Sequence, residues 1–472
     1  HNLSEFLAIP FAQPPVGKLR WVSPQPATPW TGTLDATQWP SPCMQNPESY
    51  FSTPSEDCLY LNVFVPPNVN FTAIAQGDSP NLPVMMFIYG GSYVSGASSV
   101  PIYDGSFTAA AHNVIVVSTN YRVGVWGFAG AELLRKHNAA DNTTGNYGLQ
   151  DQRAAMQWIH KNIHVFGGNG SHLMIWGESA GAGSTSSHLV MPRSAGLFTA
   201  AGMESGPEVK WVAQPLGAAE HAFNANFMPA CSSAASAIDC LLALSSADLL
   251  AMEQKMTTRW APVIDGVELS EHPVNLAKAG KWSNPVPLLM GSNHDEGTLF
   301  NTYPQDLSWA DFNSSAHSLY PDFADRIIAM YSPDAYPSAW WALSAVIGDS
   351  GFNCPTRRTA RWATASGLPV YAYFFNHVPL SPPSTCIGVC HSSELVFVFD
   401  FQFNLKSPAE LALGAAMNSY WATFAMHHTP TAPGAPAWPT YDPAADNYLQ
   451  LATGGNLTVI HNLRPQRCDL WD

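Results

Sequence analysis

The sequence predicts an α/β fold, a mostly parallel central sheet flanked by helices, and three observations carry that expectation. Short apolar runs alternate with amphipathic helical stretches between about residues 58 and 205, as parallel strands joined by covering helices require. One such run, Leu173-Met174-Ile175-Trp176, leads straight into the small-residue turn Gly177-Glu178-Ser179-Ala180-Gly181. Farther on, the run from Leu288 to Asn293 ends at two adjacent carboxylates, Asp295 and Glu296.

Taken in order, Leu59 to Val65 reads as a strand stopped by Pro66-Pro67. Val84 to Tyr89 is a short buried strand running into Gly90-Gly91, and Val114 to Ser118 is another, dominated by β-branched residues. From Gly148 to Asn162 the residues Leu149, Ala154, Ala155, Met156, Trp158 and Ile159 recur at helical spacing, with Gly167-Gly168 as the stop. Val370 to Phe375 is a further strand, followed after a proline-rich loop by Gly388 to Leu395, which contains His391. Residues 206–285 and 300–365 are more helical and less regular. With no fixed-period repeat, they are expected to be helical insertions over the active site of one catalytic domain spanning residues 1–472.

Composition narrows the function classes. Twenty Lys+Arg against 35 Asp+Glu give a net charge of −15, which disfavours nucleic acid and anionic lipid as partners. No run of about 18 apolar residues offers a membrane span. Eight cysteines include the close pairs Cys43/Cys58, Cys231/Cys240 and Cys386/Cys390, in spacings that match no zinc pattern. An even count favours disulfides in an oxidising compartment. Sequons at Asn2, Asn70, Asn142, Asn169, Asn313 and Asn456 point the same way, to a secreted, extracellular glycoprotein. No signal peptide or initiator Met is present, as expected of a mature or trimmed chain. The sequence carries no signal for oligomeric state.

The turn at Ser179 has the pattern G-x-S-x-G between a strand and a helix start, a nucleophile elbow in which a sharp turn lifts the serine above the sheet edge. A serine hydroxyl needs a base to take its proton. In this arrangement the chain order is Ser, acid, His. The acid is expected at a strand end, where Asp295 and Glu296 are equal candidates, and position selects His391 from the 16 histidines.

Ala8-Ile9-Pro10-Phe11-Ala12-Gln13-Pro14-Pro15, Ser55-Glu56-Asp57-Cys58-Leu59, Asn120-Tyr121-Arg122, Gly148-Leu149-Gln150-Asp151, Gly177-Glu178-Ser179-Ala180-Gly181 and Asp295-Glu296-Gly297 occur in an ordered set from residue 8 onward. In these segments the chain resembles the type-B carboxylesterase family, α/β-hydrolases that include cholinesterases and lipases of the Candida rugosa type. The resemblance covers nearly the whole chain and implies that the first strands of the family pattern are missing here. It implies Ser179 as nucleophile, Glu296 as the acid and His391 as the base. Glu178 and Glu394 are expected to support these three. It also implies an oxyanion hole of the Gly91, Ser92 and Ala180 N–H groups, although the family commonly has a glycine where Ser92 stands, and a serine forced to φ > 0 there would be strained. Bridges Cys43–Cys58, Cys231–Cys240 and Cys354–Cys468 follow the family, leaving Cys386 and Cys390 as a fourth.

The expected activity is that of a secreted serine carboxylesterase with a small-molecule ester substrate and no cofactor or metal. Triglyceride, sterol-ester and feruloyl-type aromatic esters are alternative substrates, and a non-catalytic binding module is the competing class. Trp211, Trp260, Trp340 and Trp341 could line an acyl pocket or pack the core. In cholinesterases the first disulfide loop carries a Trp, and in the family's lipases it carries a long flap. Here residues 44–57 contain Tyr50 and Phe51 but no Trp, and Pro47 and Pro54 cut the segment into pieces too short for a stable helix. Closing a loop of that size contributes about 3 kcal/mol. A stiff, open loop without interfacial activation is therefore expected.

Overall fold

Parallel strands buried on both faces demand continuous apolar runs, and such runs organise both compact units of the chain. The computed structural model describes residues 3–47, 52–257, 259–382 and 385–472. Asn2, Tyr50 and Phe51 lie outside the described residues. One unit comprises residues 1–202 and 210–286, the other residues 203–209 and 287–472.

In the first unit, β1 (Ser4–Pro10), β2 (Tyr60–Val65), β3 (Leu82–Ile88), β4 (Ile115–Thr119) and β5 (Gly168–Glu178) lie in the order β1-β2-β4-β3-β5. The β3–β4 and β3–β5 ladders are parallel, whereas β1–β2 and β2–β4 are antiparallel. Leu61, Val63, Phe64 and Val65 of β2 are fully buried. So is Asn62, whose side chain accepts the Ala8 N–H (3.0 Å) and donates to Ser98 and Ser118. The helix α1 (Tyr147–Asn162) sits where periodicity placed it. Its Asp151 holds Arg122 through two guanidinium bonds of 2.8 Å. Two of the segments that carry the family resemblance are thereby tied by a buried ion pair. A third is tied by Glu56, paired with Arg20. After β5 come α2 (Ala180–Val190) and β6 (Ala200–Glu204), whose last two residues belong to the second unit, then a two-residue parallel ladder of β7 (Gln214–Pro215) and β8 (Val263–Ile264). Helices Leu216–Asn226, Ala237–Ala243, Ser246–Glu253 and Pro273–Lys278 fill the stretch expected to be helical.

In the second unit β9 (Leu288–Asn293), β10 (Val370–Phe375) and β11 (Asn447–Leu451) run parallel, and β12 (Thr458–His461) closes the edge antiparallel. Register pairs Asn293 with Phe375, so the loops that follow leave from the carboxyl ends of adjacent strands. The helices Trp309–Leu319, Ala324–Met330 and Ala339–Gly348 bury Phe312, Ile327, Trp340 and Leu343 in one apolar cluster. A long helix, α3 (Pro408–His427), begins on Ser407, whose hydroxyl accepts the Glu410 N–H.

Four disulfides form, Cys43–Cys58, Cys231–Cys240, Cys354–Cys468 and Cys386–Cys390, and no cysteine is free. Among the described residues no helix is long and apolar enough to cross a membrane.

Glu208 in the second unit is fully buried. Burial pushes its carboxyl up to about 7, against the opposing influence of Thr359 and Arg358. A carboxyl raised in the folded state favours folding most below its unfolded value and loses that advantage as pH rises through the folded one. Glu208→Gln should therefore match the wild type near pH 5 and be the more stable protein above pH 7, read as the Tm difference at the two pH values. A difference that stays constant across that window would mean Glu208 titrates normally.

Candidate active site

Ser179 follows β5 and precedes α2 at φ 57°, ψ −125°. A non-glycine residue there is strained, a cost that a tight strand-to-helix turn imposes and the surrounding packing enforces. Gly177 and Gly181 make the turn possible, because a Cβ on either would collide with the Ile88 carbonyl. Ala180 is the first residue of an 11-residue helix, where backbone N–H groups lack intrahelical partners and favour negative charge.

The loop after β3 comes close to this turn. A Cβ on Gly90 would lie 2.8 Å from the Ser179 Cβ and 2.9 Å from a carboxylate oxygen of Glu178. Next come three left-handed residues, Gly91 (φ 114°), Ser92 (φ 55°) and Tyr93 (φ 62°). The Gly91 carbonyl is turned into the loop to accept the Val94 and Ser95 N–H groups at 3.0 and 3.1 Å. Ser92 thus occupies the conformation that a glycine would take without cost. Ser92→Gly should raise stability by about 1 kcal/mol, measurable as an increase in Tm. An unchanged or lower Tm would show that the hydroxyl makes up for the strain.

In the second unit, Glu296 opens the turn after β9 and is fully buried. Its Oε1 accepts the Asn293 N–H (2.7 Å) and the Ser205 hydroxyl (2.5 Å), and its Oε2 lies 2.6 Å from His391 Nδ1. Strand position left Asp295 and Glu296 equal and the family resemblance chose Glu296, the one of the two that meets His391. Asp295 Oδ1 bonds His294 at 2.6 Å and Oδ2 accepts the Val389 N–H at 2.9 Å. Burial works to raise the Asp295 pKa, but His294, the Val389 N–H and Arg464 outweigh it and hold the group below the usual range.

The loop carrying His391 is fastened along this turn. Thr298 donates to the Ile387 carbonyl (2.8 Å), the Asp295 N–H to the Val389 carbonyl (2.9 Å), and the Asn293 amide to the Cys390 carbonyl (2.9 Å). The Cys386–Cys390 bridge ends one residue before the histidine. Phe300 and Phe352 pack on the imidazole with ring centroids 4.9 and 4.8 Å away. Neither was singled out in the sequence, and neither were Ser205 or Asn293, because none sits in a motif. His188, nine residues beyond Ser179, plays a different part. Burial drives its pKa down to about 3, and it bridges Ser194 and Gln152 as a neutral ring.

The tryptophans divide. Trp260 and Trp340 are core residues. Trp211 packs against Gly183 of α2, and Trp341 lies against the Gly388 turn in the His391 loop. Of the sequons, Asn70, Asn142, Asn313 and Asn456 are exposed and Asn169 is half-buried.

The sequence matches the carboxylesterase family over residues 1–471. It is 34% identical to the acetylcholinesterase of Bungarus fasciatus over a 519-residue alignment covering all of this chain and 82% of that protein. To the cholinesterase of Mus musculus it is 33% identical, again over its full length and 83% of the relative. With a family match along its whole length and relatives above 30% identity, the chain belongs to the carboxylesterase family and is a carboxylic ester hydrolase.

Proposed function

We propose that this chain is a secreted serine carboxylesterase that hydrolyses uncharged, soluble carboxylic esters through an acyl-enzyme. The observation that carries the reading is the buried Glu296–His391 pair. With Nδ1–H donated to the carboxylate, the lone pair of the neutral ring lies on Nε2, the form that a general base requires. In this reading the Ser179 hydroxyl attacks the ester carbonyl as His391 takes its proton, and Glu296 stabilises the imidazolium. The Gly91, Ser92 and Ala180 N–H groups receive the developing oxyanion. His391 then protonates the departing alcohol, and a water molecule repeats the sequence on the acyl-enzyme. No cofactor enters any of these steps. Four disulfides and surface-accessible sequons support an extracellular location.

Choline esters suit the two relatives by their names, but a quaternary ammonium is held best by a Trp face, and residues 44–57 contain none. The test pairs a fluorophosphonate with a substrate panel. Labelling should fall on Ser179, and choline esters should not be preferred over uncharged esters of the same acid. Tributyrin should saturate normally below its solubility limit. The absence of an adduct would favour a binding module, strong choline preference a cholinesterase, and a steep rate increase on emulsion formation a lipase.

A further inference from the structure

Asn293, the last residue of β9, is fully buried and makes three bonds around His391. Its side-chain amide donates to the carbonyl of Cys390, the residue before the histidine, and to the carboxylate of Glu394, three residues after it. Its backbone N–H donates to Glu296 Oε1, on the carboxylate whose other oxygen bonds the imidazole. We propose that Asn293 is a positioning residue for ester hydrolysis, setting His391 against Glu296 by holding both flanks of the histidine and the carboxylate from a single point. The inference rests on the reading of His391 as the base.

The chemistry of the side chain fits this role. A carboxamide nitrogen offers two N–H donors, and both of its partners are acceptors only, a peptide carbonyl and a carboxylate. An aspartate of the same shape would set oxygen against oxygen on both sides. The neighbouring fasteners act upstream, at Ile387 and Val389. On the far side Glu394 leads into the short helix Leu395–Val398, so the Asn293 amide ties that helix to the strand end. Without it the two flanks of His391 and its carboxylate lose their shared anchor, and a displacement of about 1 Å in a catalytic group costs on the order of 100-fold in rate.

The experiment compares Asn293→Ala and Asn293→Asp with the wild type, and with Ser179→Ala and His391→Gln as controls, each assayed below its own Tm. Both Asn293 variants should lose about 10- to 100-fold in kcat with little change in KM. The pH profile of kcat/KM should also differ from that of the wild type, because the geometry between the imidazole and its carboxylate has changed. If Asn293→Ala does not fold, the isosteric Asn293→Asp carries the test. Controls that lose activity beside Asn293 variants with wild-type kcat and pH profile would overturn the positioning role alone. Controls that keep activity would overturn the reading of the base itself.

Discussion

Ser179→Ala should abolish ester hydrolysis, lowering kcat on the order of 10⁴-fold or more, because in the proposed mechanism nucleophile, base and acid act as a unit. The fold should survive the change. Ser179 stands at the start of α2, but its hydroxyl makes no capping bond to the helix, so deletion removes the reactive atom and little else. Alanine also inherits the same φ of 57° and the same strain. Comparing turnover with Tm separates the two effects, and appreciable activity in a well-folded variant would end the assignment.

The second large effect separates two neighbouring carboxylates. Glu296→Gln should cost about 10³- to 10⁴-fold in kcat, the scale on which loss of the orienting acid acts. Each oxygen of Glu296 accepts from a donor, so a carboxamide must turn its NH₂ toward either the imidazole N–H or the Asn293 and Ser205 donors. Asp295→Asn should cost only a few-fold, since one oxygen remains to accept the Val389 N–H. Equal losses would mean that the Asp295 fastening of the loop matters as much as the acid.

Much of this was legible in the residues. The strand predicted from Leu59 forms from Tyr60, and the helix predicted from Gly148 starts at Tyr147. Periodicity is strongest in such continuous apolar segments. β5 begins five residues before the apolar run that announced it, because Gly168-Asn169-Gly170 joins the strand through backbone pairing with Leu82, which no side-chain pattern records. The helix α3 was missed although Ser407, Pro408 and Glu410 form a proper start signal. Its buried Leu413, Met417, Tyr420, Trp421 and Phe424 share one face, but Leu411, Ala415, Ala422 and Met426 make the opposite side apolar too, so no polar face sets off the stripe that marks a surface helix. In the site, spacing could nominate His391 but not its partner 95 residues away. Choosing between Asp295 and Glu296 by spacing alone was impossible, since their difference lies in which way each side chain leaves the turn.

The left-handed Ser179 has a consequence for anyone breeding this protein toward heat resistance. Glycine takes that backbone conformation without penalty, so Ser179→Gly should be more stable than Ser179→Ala by about 1 kcal/mol. A selection that rewards folded protein alone therefore pulls this position toward a chain that the proposed mechanism makes inert. Libraries should be sorted on turnover from the first round, because at this residue durability and chemistry point in opposite directions.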